Sequence, residues 1–209
     1  MSRGGSSAHW ARRGSSGRLA WLVVWALLLV PTLLLGVADP LSQVVLSWQP
    51  GLAWREPWRW WSAAWVHFSS LHLFANLLGA LLVAWLGWVL DPPRAAAWAW
   101  ALAWPLTQLS LVMQPQLQRY GGLSGVLHAG VAVCATGLCL AGRSAAERRL
   151  GWILGAGLLL KLVLERPWAL TLLQVDGWDI AIAPMAHATG SFWGALLGVV
   201  VFRLVRQAR

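Results

Sequence analysis

The sequence predicts an all-α polytopic membrane protein with six transmembrane helices and both termini in the cytoplasm. Three observations predict it. First, 58% of the 209 residues are hydrophobic and 11% are charged, against ~45–50% and ~25% in ordinary soluble domains. So few charges cannot cover the surface of a soluble domain this size, which excludes a soluble enzyme, a disordered chain and a nucleic-acid module. Second, six mostly apolar stretches approach or exceed the length that spans a bilayer, ~20 residues. Third, the basic residues collect on alternate connections between them. The net charge of +9 therefore reports orientation in a bilayer and not an affinity for nucleic acid.

The elements follow in order. Residues 1–17, rich in Ser, Gly and Arg, read as a disordered cytoplasmic tail, and residues 18–209 as one membrane domain without internal repeats. The first span is Arg18–Val37. Gly36-Val37-Ala38 loosely resembles a signal-peptide cleavage site, but the apolar run is long and five spans follow, so this span is expected to be retained. A long outer loop, Asp39–Ser69, precedes span two, Ser70–Leu90. Span three is Arg94–Met113 and span four Leu123–Ala141. Span five, Leu150–Leu164, is short and contains Lys161, expected to snorkel to the interface. Span six is Ile180–Val205. Breakers separate the spans, among them Asp39-Pro40, Asp91-Pro92-Pro93, Gln114-Pro115, Arg166-Pro167 and Asp176-Gly177. The 18 Trp are expected at the interface or facing lipid. Cys134 and Cys139, five apart on one helix, are too distant for a disulfide.

Charge sets the orientation. Arg3, Arg12, Arg13, Arg18, Arg94, Arg143, Arg148, Arg149, Arg203, Arg206 and Arg209 share one side, 11 of the 16 basic residues. Arg55, Arg59, Arg119, Lys161 and Arg166 take the other, with five of the seven acids. The positive-inside rule then places both termini in the cytoplasm and Asp39–Ser69 outside.

Ionisable residues inside spans are costly and mark function by default. His72 and Asn76 are four apart on span two, so they share a face. Ser124 and His128 stand in the same relation on span four. His187 lies near the start of span six with Gly190, Gly194 and Gly198 on nearly the same face, a spacing of small residues that lets two helices approach. Ser124 is 18 residues above Gly142 and His187 is 16 above Arg203. At ~1.5 Å per residue both lie ~24–27 Å above the cytoplasmic boundary, a few ångströms below the outer surface of a ~30 Å core. A serine beside a histidine is the minimum for a nucleophile and its general base. Ser124 sits in Gly122-Leu123-Ser124-Gly125 at a helix start, where the N–H groups of Leu123 and Ser124 lack helical partners and can face an oxyanion. The glycines allow a substrate backbone to come close. His72 and Asn76 offer donors for the same charge. No Asp or Glu lies deep in a span, so a Ser–His dyad without a third acid is expected. That count also excludes an intramembrane aspartyl protease, and no HExxH string marks a zinc protease.

Four segments in order carry a resemblance over nearly the whole chain. They are Trp58-Arg59 in the first loop, His67-Phe68-Ser69-Ser70-Leu71-His72-Leu73-Phe74-Ala75-Asn76, Gly122-Leu123-Ser124-Gly125, and Ala186-His187-Ala188-Thr189-Gly190 followed by Gly194. Together they resemble the Trp-Arg, HFSxxHxxxN, GxSG and AHxxGxxxG segments of rhomboid intramembrane serine proteases. The resemblance implies a six-transmembrane-helix rhomboid bundle with Ser124 as nucleophile and His187 as base. It also implies an oxyanion site of His72, Asn76 and the Ser124 N–H. Typical rhomboids carry Tyr four residues after the serine; this chain has His128. The string Gly122-Leu123-Ser124-Gly125-Val126-Leu127-His128-Ala129 resembles the rhombosortase subgroup, with Ala129 in place of its last Gly. That likeness implies a protease of the bacterial inner membrane without cofactor or metal. Its implied partners are the lipid bilayer and single-span substrates with a C-terminal Gly-Gly motif, an apolar helix and a basic tail.

Other readings stay open at this stage. His128, one turn from Ser124, is a rival base, a support for the base, or a packing residue. His67 reads as a loop anchor, as do Trp58 and Arg59, Ser191 as a packing residue, and Tyr120 as interfacial. A non-catalytic membrane scaffold or a small transporter is the alternative function. A transporter should show paired repeats or broken helices, and a pseudoprotease should lack the serine or histidine. Metal transport through His67, His72, His128 and His187 is disfavoured because His67 and His72 would diverge on a helix.

Overall fold

The computed structural model describes residues 16–207, and among them helices carry the fold and no strand forms. In chain order they are α1 (Ser16–Leu35), α2 (Pro40–Leu46), α3 (Arg59–Ser62), α4 (Ser70–Leu90), α5 (Arg94–Leu109), α6 (Ser124–Ala141), α7 (Ala145–Glu165) and α8 (Pro184–Gln207). The tail expected over residues 1–17 lies outside the described residues, apart from Ser16 and Gly17, which open α1. Helices stand at all six expected span positions. Four of them, α1, α4, α6 and α8, are long and apolar enough to cross a membrane. Helix α5 has 16 residues, continued by a 3-10 turn at Ser110–Met113. Helix α7 has 21 residues but carries Glu147, Arg148, Arg149, Lys161 and Glu165.

Local signals set the helix ends. Ser69 caps α4 by accepting the His72 N–H at 3.1 Å. Ser144 caps α7 by accepting the Glu147 N–H at 3.1 Å, and Glu147 reaches back to the Arg143 N–H at 2.6 Å. That reciprocal pattern is a capping box. Asp91 and Arg166 close α4 and α7 in the left-handed region, at φ 44° and 50°. The chain runs up and down, and both described ends share one face. Arg18 on α1 pairs with Asp91 after α4, and Arg206 on α8 reaches the carbonyl of Leu140 near the end of α6.

The tightest pairing is α6 against α8. A Cβ at Gly190 would strike the carbonyl oxygen of Gly125, and one at Gly194 that of Ala129. A Cβ at Gly125 would lie 2.8 Å from the Ala186 oxygen. Backbone therefore meets backbone along this seam, which is the closeness that small residues four apart permit.

Two sequence expectations change here. Trp21, Trp48 and Trp100 are fully buried and do not face lipid. Trp21 and Trp100 stack with centroids 4.5 Å apart. Their indole N–H groups donate across helices, Trp21 to the Val83 carbonyl at 2.9 Å and Trp100 to that of Val126 at 2.8 Å. A buried indole needs such an acceptor, and helical carbonyls retain a second lone pair to provide it. The segment 39–69, read as a long loop, contains α2, α3 and two 3-10 turns. Arg59, 2% exposed, fastens it by donating to the carbonyls of Val44 (2.8 Å) and Ser47 (2.5 Å) and by pairing with Glu56.

Candidate active site

The candidate residues gather at one end of the bundle. Ser124 is the first residue of α6, His187 the fourth of α8, and His72 and Asn76 lie in the first two turns of α4. Three helix N-termini thus converge, each carrying partial positive charge. Ser124 Oγ is 2.9 Å from His187 Nε2. Around them opens a cavity of about 370 Å³, lined by Ser124, His187, His128, His72 and Asn76 and by apolar residues of α4, α6 and α7.

Gly122 shapes the approach to Ser124. Its φ of 121° is one that L side chains rarely adopt, and a Cβ there would lie 2.5 Å from His72 Nε2. Its N–H donates to the Ala63 carbonyl at 2.9 Å, which ties the turn to the fastened 39–69 segment. Leu123, fully buried, caps α6 without a side-chain bond, so the first N–H groups of the helix are not taken by their own cap. Asn76 Nδ2 donates to the His72 carbonyl at 2.9 Å, while Asn76 Oδ1 and His72 Nδ1 are buried without a partner in the protein.

The two histidines are not equivalent. His128 Nδ1 donates to the Ser124 carbonyl at 2.7 Å, and its ring stacks on His187 at 4.2 Å and 12°. His187 instead points Nε2 at the serine hydroxyl. His128 stacks on the ring of His187 and is tied to the Ser124 backbone rather than to its hydroxyl.

Sequence reasoning missed Glu165. With no Asp or Glu deep in a span, the sequence predicts no acid beside the histidine. In the structure Glu165 is 5% exposed, and its Oε2 lies 2.6 Å from His187 Nδ1. Its Oε1 accepts from Lys161 Nζ at 2.6 Å. Lys161, expected to snorkel, lines the cavity and holds this carboxylate. The available signal was the Lys161/Glu165 spacing of four at the end of a span on the same side as Ser124.

Tyr120 and His67 also stand elsewhere than expected. Tyr120, expected at the interface, is buried. Its phenol donates to the Gly122 carbonyl at 3.2 Å, its backbone pairs with Trp48, and burial pushes its pKa up to about 12. His67 does not diverge from His72. It precedes α4 in non-helical backbone, and the two rings lie 4.7 Å apart. It anchors its segment, donating from Nδ1 to the Trp65 carbonyl at 3.1 Å and accepting the Ala38 N–H on its own carbonyl at 2.9 Å. Burial pushes its pKa down to about 4, so it is neutral at pH 7. Trp58 is half exposed, with its indole N–H on the Val45 carbonyl at 3.2 Å. Ser191 is buried against the bundle.

No protein-family model matches the chain. The chain is 33% identical over 193 residues to rhomboid protease GlpG of Serratia proteamaculans (strain 568), an alignment that takes in 88% of this chain. The chain spans 63% of that relative's length.

Proposed function

We propose, from this similarity and from the site, that the chain is a rhomboid-family intramembrane serine protease of the rhombosortase kind, in a bacterial inner membrane with both termini cytoplasmic. The observation that carries the reading is the 2.9 Å contact between Ser124 Oγ and His187 Nε2 inside a bundle of apolar helices. His187 takes the hydroxyl proton as Ser124 Oγ attacks the scissile carbonyl. The oxyanion is stabilised by the Leu123 and Ser124 N–H groups, by Asn76 and His72, and by the converging helix N-termini. His187 then returns the proton to the leaving amine, and water or another amine releases the acyl group from Ser124.

His128 within Gly122–Ala129 supports the rhombosortase assignment. The substrate reading follows: a C-terminal single-span anchor with Gly-Gly at its outer end and a basic tail behind. A helical peptide bond is shielded, and each Gly lowers helix stability by ~1 kcal/mol relative to Ala, so the Gly-Gly end unwinds first. Such a protein co-expressed with this chain is expected to be cut near the glycines, its new C-terminus mapped by mass spectrometry. A cut on the cytoplasmic side, or undiminished cleavage after both glycines become Leu, rejects this substrate class.

The oxyanion role of Asn76 has its own test. Asn76→Ala should slow turnover ~10–1,000-fold, the range for loss of one oxyanion donor, while a fluorophosphonate probe still reacts. Unchanged turnover with correct insertion would leave Asn76 a purely structural residue.

A further inference from the structure

We infer that Glu165 is the positioning acid of the site, so that the reacting unit is Ser124–His187–Glu165 rather than a serine and histidine alone. The inference rests on the serine-protease reading above and deepens it.

A carboxylate that is 5% exposed among apolar helices is costly unless paired on both oxygens. Glu165 is so paired, but its partners divide the work. Oε1 takes Lys161, an ordinary i,i+4 pair on the same helix. Oε2 reaches across to α8 and takes His187 Nδ1 at 2.6 Å. A residue present only to finish α7 would not need the second contact.

That contact decides the tautomer. A carboxylate accepts only, so Nδ1 carries the proton and Nε2 presents its lone pair to the Ser124 hydroxyl. The stacked ring of His128 offers Nδ1 no acceptor in the ring plane, and its own Nδ1 is engaged by the Ser124 carbonyl. Without Glu165 the proton is free to sit on Nε2, where it blocks the transfer. When His187 gains the serine proton, the same carboxylate stabilises the imidazolium. Lys161 holds the Glu165 carboxylate in place through Oε1, and its positive charge tempers the effect.

The test uses the full-length chain in detergent and a fluorophosphonate probe, so that no substrate need be known. Labelling rate, probe affinity and the pH profile are measured for wild type, Ser124→Ala, Glu165→Gln, Glu165→Asp and Lys161→Gln. The groups around His187 that bear on its profile are Ser124 and His128 on α6, Glu165 and Lys161 on α7, and His72 on α4. Arg119, before α6, lines the same cavity, and Asp179, between α7 and α8, accepts from Ser69 at the start of α4. Glu165→Gln should lower the maximal labelling rate ~10²–10⁴-fold, as amide replacement of the acid does in serine proteases that have one, with probe affinity within about threefold. Its acid-side half-maximum should move to lower pH, because the imidazolium has lost its anion. Glu165→Asp should recover part of the rate. Lys161→Gln keeps the carboxylate and removes the opposing cation, so its half-maximum should move to higher pH. If Glu165→Gln does not fold, Glu165→Asp decides: a reduced rate supports the inference, and wild-type rate with an unmoved profile overturns it. Wild-type rate and an unmoved profile in the Gln variants, with Ser124→Ala unlabelled, would overturn the inference and leave the serine-protease reading standing. Labelling of Ser124→Ala at the wild-type rate would overturn that reading itself.

Discussion

Ser124→Ala is expected to lose all covalent labelling by serine-directed probes and all cleavage, while remaining folded and inserted in the membrane. The two halves of this result come from different energies. The hydroxyl contributes one hydrogen bond, to His187 Nε2, and a bond of that kind is worth about 1 kcal/mol net. Its loss leaves a methyl group at the edge of an open cavity, where little repacking is required. The same atom is the proposed nucleophile, and removing the nucleophile of a serine protease costs on the order of 10⁶-fold in kcat. Stability should therefore barely move while activity vanishes. An isocoumarin or fluorophosphonate probe compared on the two proteins, with helix content as the folding control, checks it. Equal labelling would remove Ser124 from the chemistry.

His187→Ala should be nearly as severe, with a loss on the order of 10⁶-fold, whereas His128→Phe should keep a measurable part of the activity. The geometry separates the two rings. His187 has one nitrogen on the serine hydroxyl and the other on a carboxylate. His128 has its Nδ1 engaged by a backbone carbonyl and contributes a stacked face at 4.2 Å. Phenylalanine retains that face and forfeits only the bond to the Ser124 carbonyl. Rates of probe labelling or substrate cleavage on both variants decide the matter. An inactive His128→Phe beside an active His187→Ala would reverse the roles.

Much of this site could be read from the chain, because a membrane helix rises by a fixed step. Counting residues from Gly142 and Arg203 put Ser124 and His187 at matching depths, and the Gly190–Gly194–Gly198 spacing marked the face on which their helices meet. Helix periodicity likewise put His72 and Asn76 on one face of α4. The rest depended on directions that spacing does not contain. Glu165 ends α7, and only the left-handed turn at Arg166 with the packing of α7 shows that it faces His187 rather than solvent. Spacing alone treats His67 as if on the helix of His72, but the helix starts at Ser70. The tryptophans divide between core and periphery according to which helix happens to lie across from each indole, a tertiary fact. Trp21 and Trp85 have the same composition signal, yet one is fully buried and the other 59% exposed.

The glycine seam between α6 and α8 couples helix packing to the geometry of the site. Ser124 stands one residue before Gly125, and His187 three before Gly190, so the gap between the proposed nucleophile and base is registered by main chain against main chain. No rotamer in between can absorb an error. Any side chain added along the seam is transmitted to the reacting pair as a displacement, and a shift of ~1 Å can cost ~10²-fold in rate. Catalytic rate is thus a finer gauge of this helix packing than melting temperature. Damage to the seam should register first as lost turnover in a protein that still appears fully folded.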